Sequence, residues 1–172
     1  APTEIYTLSL HDALPISISS IQGAIMTTTL KDIIGSRTAA LATVKPDDSI
    51  QTVLDLMSKR KIGSVLVIDG QNLVGIVSER DLVNRVMQPG KPVKSTKAKD
   101  VMTPKPYCAA LDQTAGACMK LMTEHRFRHL PVLDGQKRVI GIVSIGDLVK
   151  SVIEEQNFMI DQFERYVYSG GF

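Results

Sequence analysis

The sequence predicts an α/β protein made of two β-α-β-β-α units that pack about a pseudo-twofold axis, followed by a C-terminal helix. Three duplicated features predict this architecture. The segment 75–82, Gly-Ile-Val-Ser-Glu-Arg-Asp-Leu, returns 66 residues later as Gly-Ile-Val-Ser-Ile-Gly-Asp-Leu. An amphipathic helical pattern and a β-branched run closed by Asp-Gly precede each copy. Units of this size bury little core alone, so we expect the two to pack together.

The first unit is placed at residues 26–88. It opens with a lead-in at 30–37 and a strand at 41–44. The residues from Pro46 to Ser49 offer helix-starting chemistry, and apolar positions then recur at i, i+3, i+4 and i+7, which predicts a helix to about Arg60. The next run, Ser-Val-Leu-Val-Ile-Asp-Gly, predicts a strand and a hairpin turn that leads to a second strand and the motif helix.

The second unit repeats this plan over residues 98–155. The offset between the copies changes from 65 to 66 at the hairpin, which predicts a second loop that is one residue longer. The connector, residues 89–97, contains two prolines and a glycine, so it cannot continue a helix. Four lysines lie in or beside it, at positions 91, 94, 97 and 99. The connector is either a solvated loop or a loop whose lysine reaches a bound phosphate.

A C-terminal helix and tail, residues 156–172, follow the second unit. Seam positions recur at alternating spacings of four and three residues, as in a coiled coil. These positions are Val149, Ile153, Gln156, Ile160, Phe163 and Val167. The seam either packs on its own unit or pairs with another subunit.

Residues 1–25 lie outside the repeated pattern. They lack the basic segment and continuous apolar core of a secretory signal, and no run in the chain approaches the ~20 apolar residues of a membrane span. The first 17 residues look like an in-frame translation of sequencing-adapter DNA. We therefore expect a non-native or disordered segment, with a native start at Met26 or slightly before it.

Composition and spacing argue against several functions. A formal net charge of +2, 5% aromatic residues and no tryptophan disfavour a nucleic-acid surface or a base-stacking platform. Cys108 and Cys118 lack metal-ligand spacing and read as free thiols in a reducing compartment. The sequence has no nucleophile elbow, metal-ligand pair or P-loop, so we expect neither an enzyme nor a metal site.

Each motif places a serine and, one turn later, an aspartate where a strand meets a helix: Ser78 with Asp81, and Ser144 with Asp147. Two interpretations stay open. The pair forms a capping box, in which each side chain bonds the other residue's backbone N–H. Alternatively, the helix start attracts phosphate and the carboxylate accepts both hydroxyls of a ribose. The motif glycine would let backbone or ligand approach closely.

The two copies differ in their basic residues. The first motif contains Arg80, a cation suited to phosphate oxygens, where the second has Gly146. The second copy carries Arg126, Arg128 and His129 before its middle strand. We expect these groups to face a cleft shared by the two copies, although a solvated charge and a strand-edge histidine remain the alternatives for the first and last of them.

The order of elements, the doubled Gly-Ile-Val-Ser-x-x-Asp motif and the segment 125–132, His-Arg-Phe-Arg-His-Leu-Pro-Val, resemble a tandem pair of cystathionine β-synthase (CBS) domains, the Bateman module. The resemblance covers about three quarters of the chain. Its C-terminal part is similar to the stand-alone two-CBS proteins of bacteria and plant organelles. The Arg-His-Leu-Pro-Val stretch also resembles the phosphate-contacting segment in the γ subunit of AMP-activated protein kinase.

The resemblance implies where a ligand binds. In nucleotide-binding CBS pairs the motif aspartate holds the ribose and the serine lies near the phosphate, while basic residues contact phosphate and residues at the strand entrances contact adenine. The implied ligand-binding residues are Thr43, Ser78, Arg80, Asp81, Thr103, Arg128, His129, Ser144 and Asp147.

We therefore expect a regulatory module whose ligand is AMP, ATP or NAD(H), with no required metal, and whose ligand-dependent shape is read by a protein partner. The resemblance also implies a homodimer. We also expect a cytoplasmic protein that binds neither membranes nor nucleic acid. Two alternatives stay open: a dimerisation scaffold with vestigial pockets, and a CBS pair that binds nucleic acid.

Overall fold

The computed structural model describes residues 28–35 and 40–168. The N-terminal segment that we expect to be non-native, residues 1–25, therefore lies outside the described residues, as does the proposed start at Met26. The described chain has the α/β architecture that the sequence predicts, with one four-stranded and one three-stranded sheet and helices packed against them.

The first unit has the predicted order of elements. They are α1 (Leu30–Gly35), β1 (Thr43–Val44), α2 (Ile50–Arg60), β2 (Ser64–Asp69), β3 (Asn72–Ser78) and α3 (Glu79–Leu82). Helix α3 widens into a π-helical turn over Val83–Met87, where the Gln88 N–H donates to the Val83 carbonyl at 2.9 Å.

The second unit follows the connector and repeats this order with one additional strand. Its elements are a 3-10 turn (Ala98–Asp100), β4 (Thr103–Pro104), β5 (Ala109–Ala110), α4 (Ala115–His125), β6 (His129–Leu133), β7 (Val139–Ser144) and α5 (Ile145–Tyr168). The additional strand, β4, pairs with β3 at the edge of the first sheet. The two sheets have the orders β1-β2-β3-β4 and β5-β6-β7. In both, the first pair is parallel and the hairpin pair is antiparallel.

The helix preceding each hairpin is closed at both ends by local chemistry. Helix α2 begins where the Ser49 hydroxyl accepts the Thr52 N–H at 3.2 Å, and α4 begins at a threonine that caps in the same way. Both helices end at a left-handed residue that is not glycine: Lys61 with φ 53° and Arg126 with φ 56°. The two units therefore share the backbone conformation at the ends of this helix as well as the order of elements.

The two hairpin turns differ more than the sequence predicts. In the first, Gly70 takes the left-handed conformation with φ 60°. In the longer second turn the left-handed residue is Lys137, with φ 62°, and not Gly135. The Asp134 carboxylate organises this turn, because it accepts the backbone N–H groups of Gln136 and Arg138, both at 2.9 Å. An Asp-Gly pair thus occupies both turns but shapes them differently.

The lead-in segments pack on the opposite units. Leu30 is fully buried in the core of the second unit, and its N–H donates to the Gln113 carbonyl at 2.9 Å. In return, Ala98 is fully buried in the core of the first unit, and its N–H donates to the Asp48 carbonyl at 2.8 Å. Each unit therefore completes its core with a segment that precedes the other unit in the chain.

The motif glycines leave room for the exchanged lead-in segments. A Cβ at Gly75 would lie 2.8 Å from Cγ of Met102, and a Cβ at Gly141 would lie 2.6 Å from Cδ1 of Ile34, both too close to be tolerated without movement. Met102 and Ile34 occupy equivalent places in the two lead-ins. The close approach expected at these glycines is thus made by a lead-in side chain.

Helix α5 is one continuous element from the second motif to Tyr168, so the C-terminal helix extends the motif helix instead of forming a separate segment. The seam side chains that we list from the sequence are exposed on it, including Ile160 at 55% and Phe163 at 64%. From Ile160 to Tyr168 every residue is exposed. This end of the helix therefore does not pack on its own unit.

The exchange of lead-ins predicts that Leu30→Ala lowers the free energy of unfolding by about 2–5 kcal/mol, the usual cost of a cavity left by a buried leucine. Chemical denaturation measures this value. The neighbouring exposed residue provides the control, because Lys31→Ala should change stability by about 0.5 kcal/mol or less. A Leu30→Ala effect as small as the control would contradict the packing described here.

Candidate functional site

Two clefts lie between the units, and each combines the motif of one unit with segments of the other. Cleft 1, about 450 Å³, is bounded by Ser78 and Asp81 on one side and by the segments 103–107 and 125–129 on the other. Cleft 2, about 720 Å³, is bounded by Ser144, Asp147 and the equivalent segments 40–42 and 60–64. Both volumes fall in the range of ~300–1,000 Å³ that is typical of small-molecule sites.

The capping interpretation of both motifs is confirmed. In the first, the Asp81 Oδ2 atom accepts the Ser78 N–H at 2.9 Å and its hydroxyl at 2.6 Å, while the Asp81 N–H points back to the Ser78 hydroxyl at 3.3 Å. In the second, Asp147 Oδ2 accepts the Ser144 N–H and hydroxyl, both at 2.7 Å. The cap fixes each carboxylate in one rotamer beside its cleft.

The second oxygen of Asp81 is directed to the wall of cleft 1. Its Oδ1 atom accepts the Thr103 hydroxyl at 3.1 Å and lies 3.5 Å from Nη1 of Arg85. Asp81 as a whole residue is 9% exposed, and both partners of its Oδ1 atom line the cleft. The cap therefore uses one carboxylate oxygen and leaves the other among cleft residues.

Backbone carbonyls anchor two arginines of cleft 1. Arg80 Nη1 donates to the Arg126 carbonyl at 2.7 Å, which ties the motif of the first unit to the second unit. Arg85 Nη1 donates to the Met102 carbonyl at 2.6 Å. A guanidinium group has five N–H donors, so these bonds position the cations without exhausting them.

His129 lies between the two clefts and lines both. It is the first residue of β6, pairs with Ser144 of β7, and its ring occupies space that the missing side chain of Gly63 leaves open. Burial lowers the pKa of the His129 imidazole, and Arg128 lowers it further, while the carboxylates of Glu79 and Asp147 act in the opposite direction. These contacts together favour the neutral form of the ring where the two units meet.

An aromatic group on the wall of cleft 1 is a feature that sequence reasoning missed. The ring centroids of Tyr107 and His125 lie 4.4 Å apart, and those of Tyr107 and Phe127 lie 5.6 Å apart, with nearly parallel planes in both pairs. The low aromatic content argued against a stacking surface, but the fold collects three of the few rings in one place. The signal available in the sequence was a difference between the two copies, because residue 107 is a tyrosine where the equivalent residue 42 is an alanine.

Eight of the nine ligand-binding candidates line one or both clefts. Cleft 1 collects Ser78, Arg80, Asp81, Thr103, Arg128 and His129, and cleft 2 collects His129, Ser144 and Asp147. Thr43 alone lies elsewhere, beside the Asp69-Gly70 turn.

The strand register explains the position of Thr43. Val44 pairs with Val67 as Ala109 pairs with Val132, so Thr43 is equivalent to Cys108 and not to Thr103. The lysines of the connector are also absent from the residues that line the two clefts. Two of them, Lys97 and Lys99, lie 2.8 Å from Asp47 and hold the pKa of that carboxyl at about 2.

The described residues contain no cluster of metal-binding side chains and no helix with the length and apolarity required to cross a membrane. Burial raises the pKa of the thiols of Cys108 and Cys118, which favours their unreactive protonated form.

The lowered pKa of His129 predicts a loss of stability on mild acidification. The unfolded chain binds a proton at this imidazole more readily than the folded chain does, so stability should fall as the pH decreases from about 7 to 5.5, below the ordinary histidine pKa. Urea denaturation at several pH values measures the slope, and His129→Gln should flatten it. Equal slopes for the two proteins would contradict this assignment.

Comparison with known proteins identifies the family. The sequence matches the model of the CBS domain over residues 23–88 and 98–154. A CBS-domain protein of known structure from Burkholderia ambifaria is 42% identical and superposes with a TM-score of 0.71, over 75% of this chain and 96% of that one. The CBS domain-containing protein CBSX3, mitochondrial, of Arabidopsis thaliana is 33% identical over 129 residues, 72% of this chain but only 62% of the plant protein.

A third relative has been solved with a ligand. CBSX2 of Arabidopsis thaliana in complex with AMP is 29% identical and superposes with a TM-score of 0.63, over 75% of this chain and 98% of that one. The two repeated units, their exchanged lead-ins and these matches agree with the resemblance seen in the sequence. The chain belongs to the CBS-domain family and contains a tandem pair of CBS domains.

Proposed function

We propose that this CBS pair is a regulatory module that binds an adenine nucleotide, AMP, ATP or NAD(H), in the clefts between its two domains. The observation that carries the proposal is the geometry of Asp81. Its Oδ2 atom closes the helix cap, and its Oδ1 atom lies among cleft residues with the Thr103 hydroxyl as a neighbour at 3.1 Å.

The cap and the ligand role are compatible. A carboxylate offers about four lone-pair sites over its two oxygens, so a ribose hydroxyl can donate to Oδ1 while Oδ2 stays in the cap. The cap also removes the entropy cost of ordering the Asp81 side chain on binding, because its rotamer is already fixed. In cleft 2, Asp147 has the same cap and the same place in its motif.

The remaining parts of a nucleotide match the other walls of cleft 1. The stacked rings of Tyr107 and Phe127 offer a flat surface to adenine, and cations beside Ser78 offer donors to phosphate. The AMP complex of CBSX2 supports this ligand class. Because the cations of cleft 1 line a concave site, this arrangement favours a small anion over a nucleic-acid surface.

Regulation would follow from the position of the clefts. A ligand in either one contacts both domains, so it stabilises one arrangement of the domains over another and shifts their populations. A protein partner would read that difference. The cytoplasmic location stays a prediction, since one relative carries a mitochondrial name.

Self-association is part of this proposal, and the exposed seam of α5 supports it. A second copy of the chain can cover Ile160 and Phe163, which no part of the described chain buries. Sedimentation equilibrium should show a dimer, and Phe163→Asp should shift it toward monomer because a charge would enter the seam. Asp161→Asn, outside the seam, should leave the dimer intact; a monomeric parent protein would contradict the proposal.

Ligand binding predicts a thermal shift. Millimolar AMP should raise the Tm of the protein, because a ligand that binds only the folded state stabilises it by mass action. Asp81→Ala should reduce this AMP-induced increase by removing the ribose contact in cleft 1. Differential scanning fluorimetry with and without AMP measures both effects.

A matched control separates the lost cap from the lost ligand contact. Asp32 accepts the Thr29 N–H at 2.9 Å and the Thr29 hydroxyl at 2.6 Å, which is the same cap at a residue that does not line cleft 1, where the Asp81 contact is tested. Asp32→Ala should lower the Tm of the free protein but keep the AMP-induced increase. An unchanged Tm of the parent protein with AMP, ATP and NADH would overturn the proposal and leave a scaffold with vestigial pockets.

A further inference from the structure

The two clefts are equivalent in position but not in charge. Five Arg or Lys side chains and one aspartate line cleft 1, a surplus of four positive charges. Two Arg or Lys side chains and one aspartate line cleft 2 among the residues that the structure describes, a surplus of one. The cations of cleft 1 are Arg80, Arg85, Lys105, Arg126 and Arg128.

Residue changes at equivalent positions produce this asymmetry. Where cleft 1 has Arg80, the second motif has Gly146. Where cleft 1 has Arg128, the segment that faces cleft 2 has Gly63. The apolar residues Ala40, Leu41 and Ile62 line cleft 2, and the last is equivalent to Phe127. The folds of the two sites thus match, while their chemistry differs.

The positive charges of cleft 1 are available to a ligand. Within the described part of the chain, no acidic side chain forms an ion pair with Lys105, Arg126 or Arg128. Arg80 and Arg85 are held in place by single nitrogens on backbone carbonyls. Such a site is organised before the ligand arrives and gains from every further phosphate that it contacts.

We propose that cleft 1 selects nucleotides by the number of their phosphates and prefers di- and triphosphates, whereas cleft 2 takes a nucleoside or a monophosphate with little regard to charge. This inference rests on the proposed binding of adenine nucleotides. Charge, and not size, makes the selection, because cleft 2 is the larger of the two. One chain would thereby compare ligands that differ in phosphorylation.

The test is isothermal titration of the full chain with adenosine, AMP and ATP, in low salt with EDTA so that metal ions do not mask the phosphates. ATP should bind its tighter site about tenfold or more strongly than AMP does, since charge-assisted contacts increase with each phosphate. Asp81→Ala should abolish this preference, and Asp147→Ala should leave it. These two variants assign the selective site to cleft 1.

A single-charge variant tests the cause. Arg128→Gln should reduce the ATP-over-AMP ratio several-fold, because it removes one positive charge from cleft 1 at an exposed side chain. Lys120→Gln removes the same charge from an exposed position of α4 outside both clefts and should not change the ratio. An equal ratio in the parent protein and in Arg128→Gln would overturn the inference.

Three outcomes of these titrations, with inorganic tripolyphosphate as a competitor, separate this inference from the proposed function. If adenosine and AMP bind but ATP gains nothing over AMP, the selection by phosphate number is wrong and the nucleotide module stands. If no nucleoside or nucleotide binds, the proposed function fails and this inference fails with it. Tripolyphosphate that competes with ATP, and competes less after Arg128→Gln, is the result that supports cleft 1 as the polyphosphate site.

Discussion

The exchange of lead-in segments is the constraint on which the rest of the structure depends. Leu30 is buried in the core of the second domain and Ala98 in that of the first, so each domain completes its core with the lead-in segment that precedes the other domain. The glycines of both motifs leave the space that these segments need. Because this packing locks the two domains together, the space left between them persists as two clefts, and each motif faces the other domain.

The motif itself combines a structural and a chemical role. Its serine and aspartate close a helix start, which is the local solution to unpaired N–H groups. The same bonds hold Asp81 in a fixed rotamer, with one oxygen at the Thr103 hydroxyl beside cleft 1. The capping role and a ligand contact therefore do not exclude each other at Asp81, because the cap positions the carboxylate.

Much of the fold follows from short-range pattern. Helix α2 is capped by Ser49, within the segment 46–49 that was predicted to start it, and the first hairpin turns at the predicted Asp69-Gly70 pair. Such caps and tight turns depend on residues a few positions apart. The exchange of lead-ins and the stack of Tyr107 on His125 depend on contacts distant in sequence, which no local pattern encodes. The repeat marks the motif residues of the candidate site, and these line the two clefts. Thr43 lines neither cleft, because the strand register places it opposite Leu66 and beside the Asp69-Gly70 turn.

The central claim is that a nucleotide binds between the domains, with its ribose on the motif aspartate of one domain and its other parts on the second domain. A crystal structure of the protein grown with AMP tests this most directly. We predict ribose hydroxyls within hydrogen-bonding distance of the carboxylate of Asp81 or Asp147, and contacts to the facing segment 125–129 or 60–64. Both clefts empty at saturating AMP, or AMP bound to one domain alone away from the motif, would contradict the account.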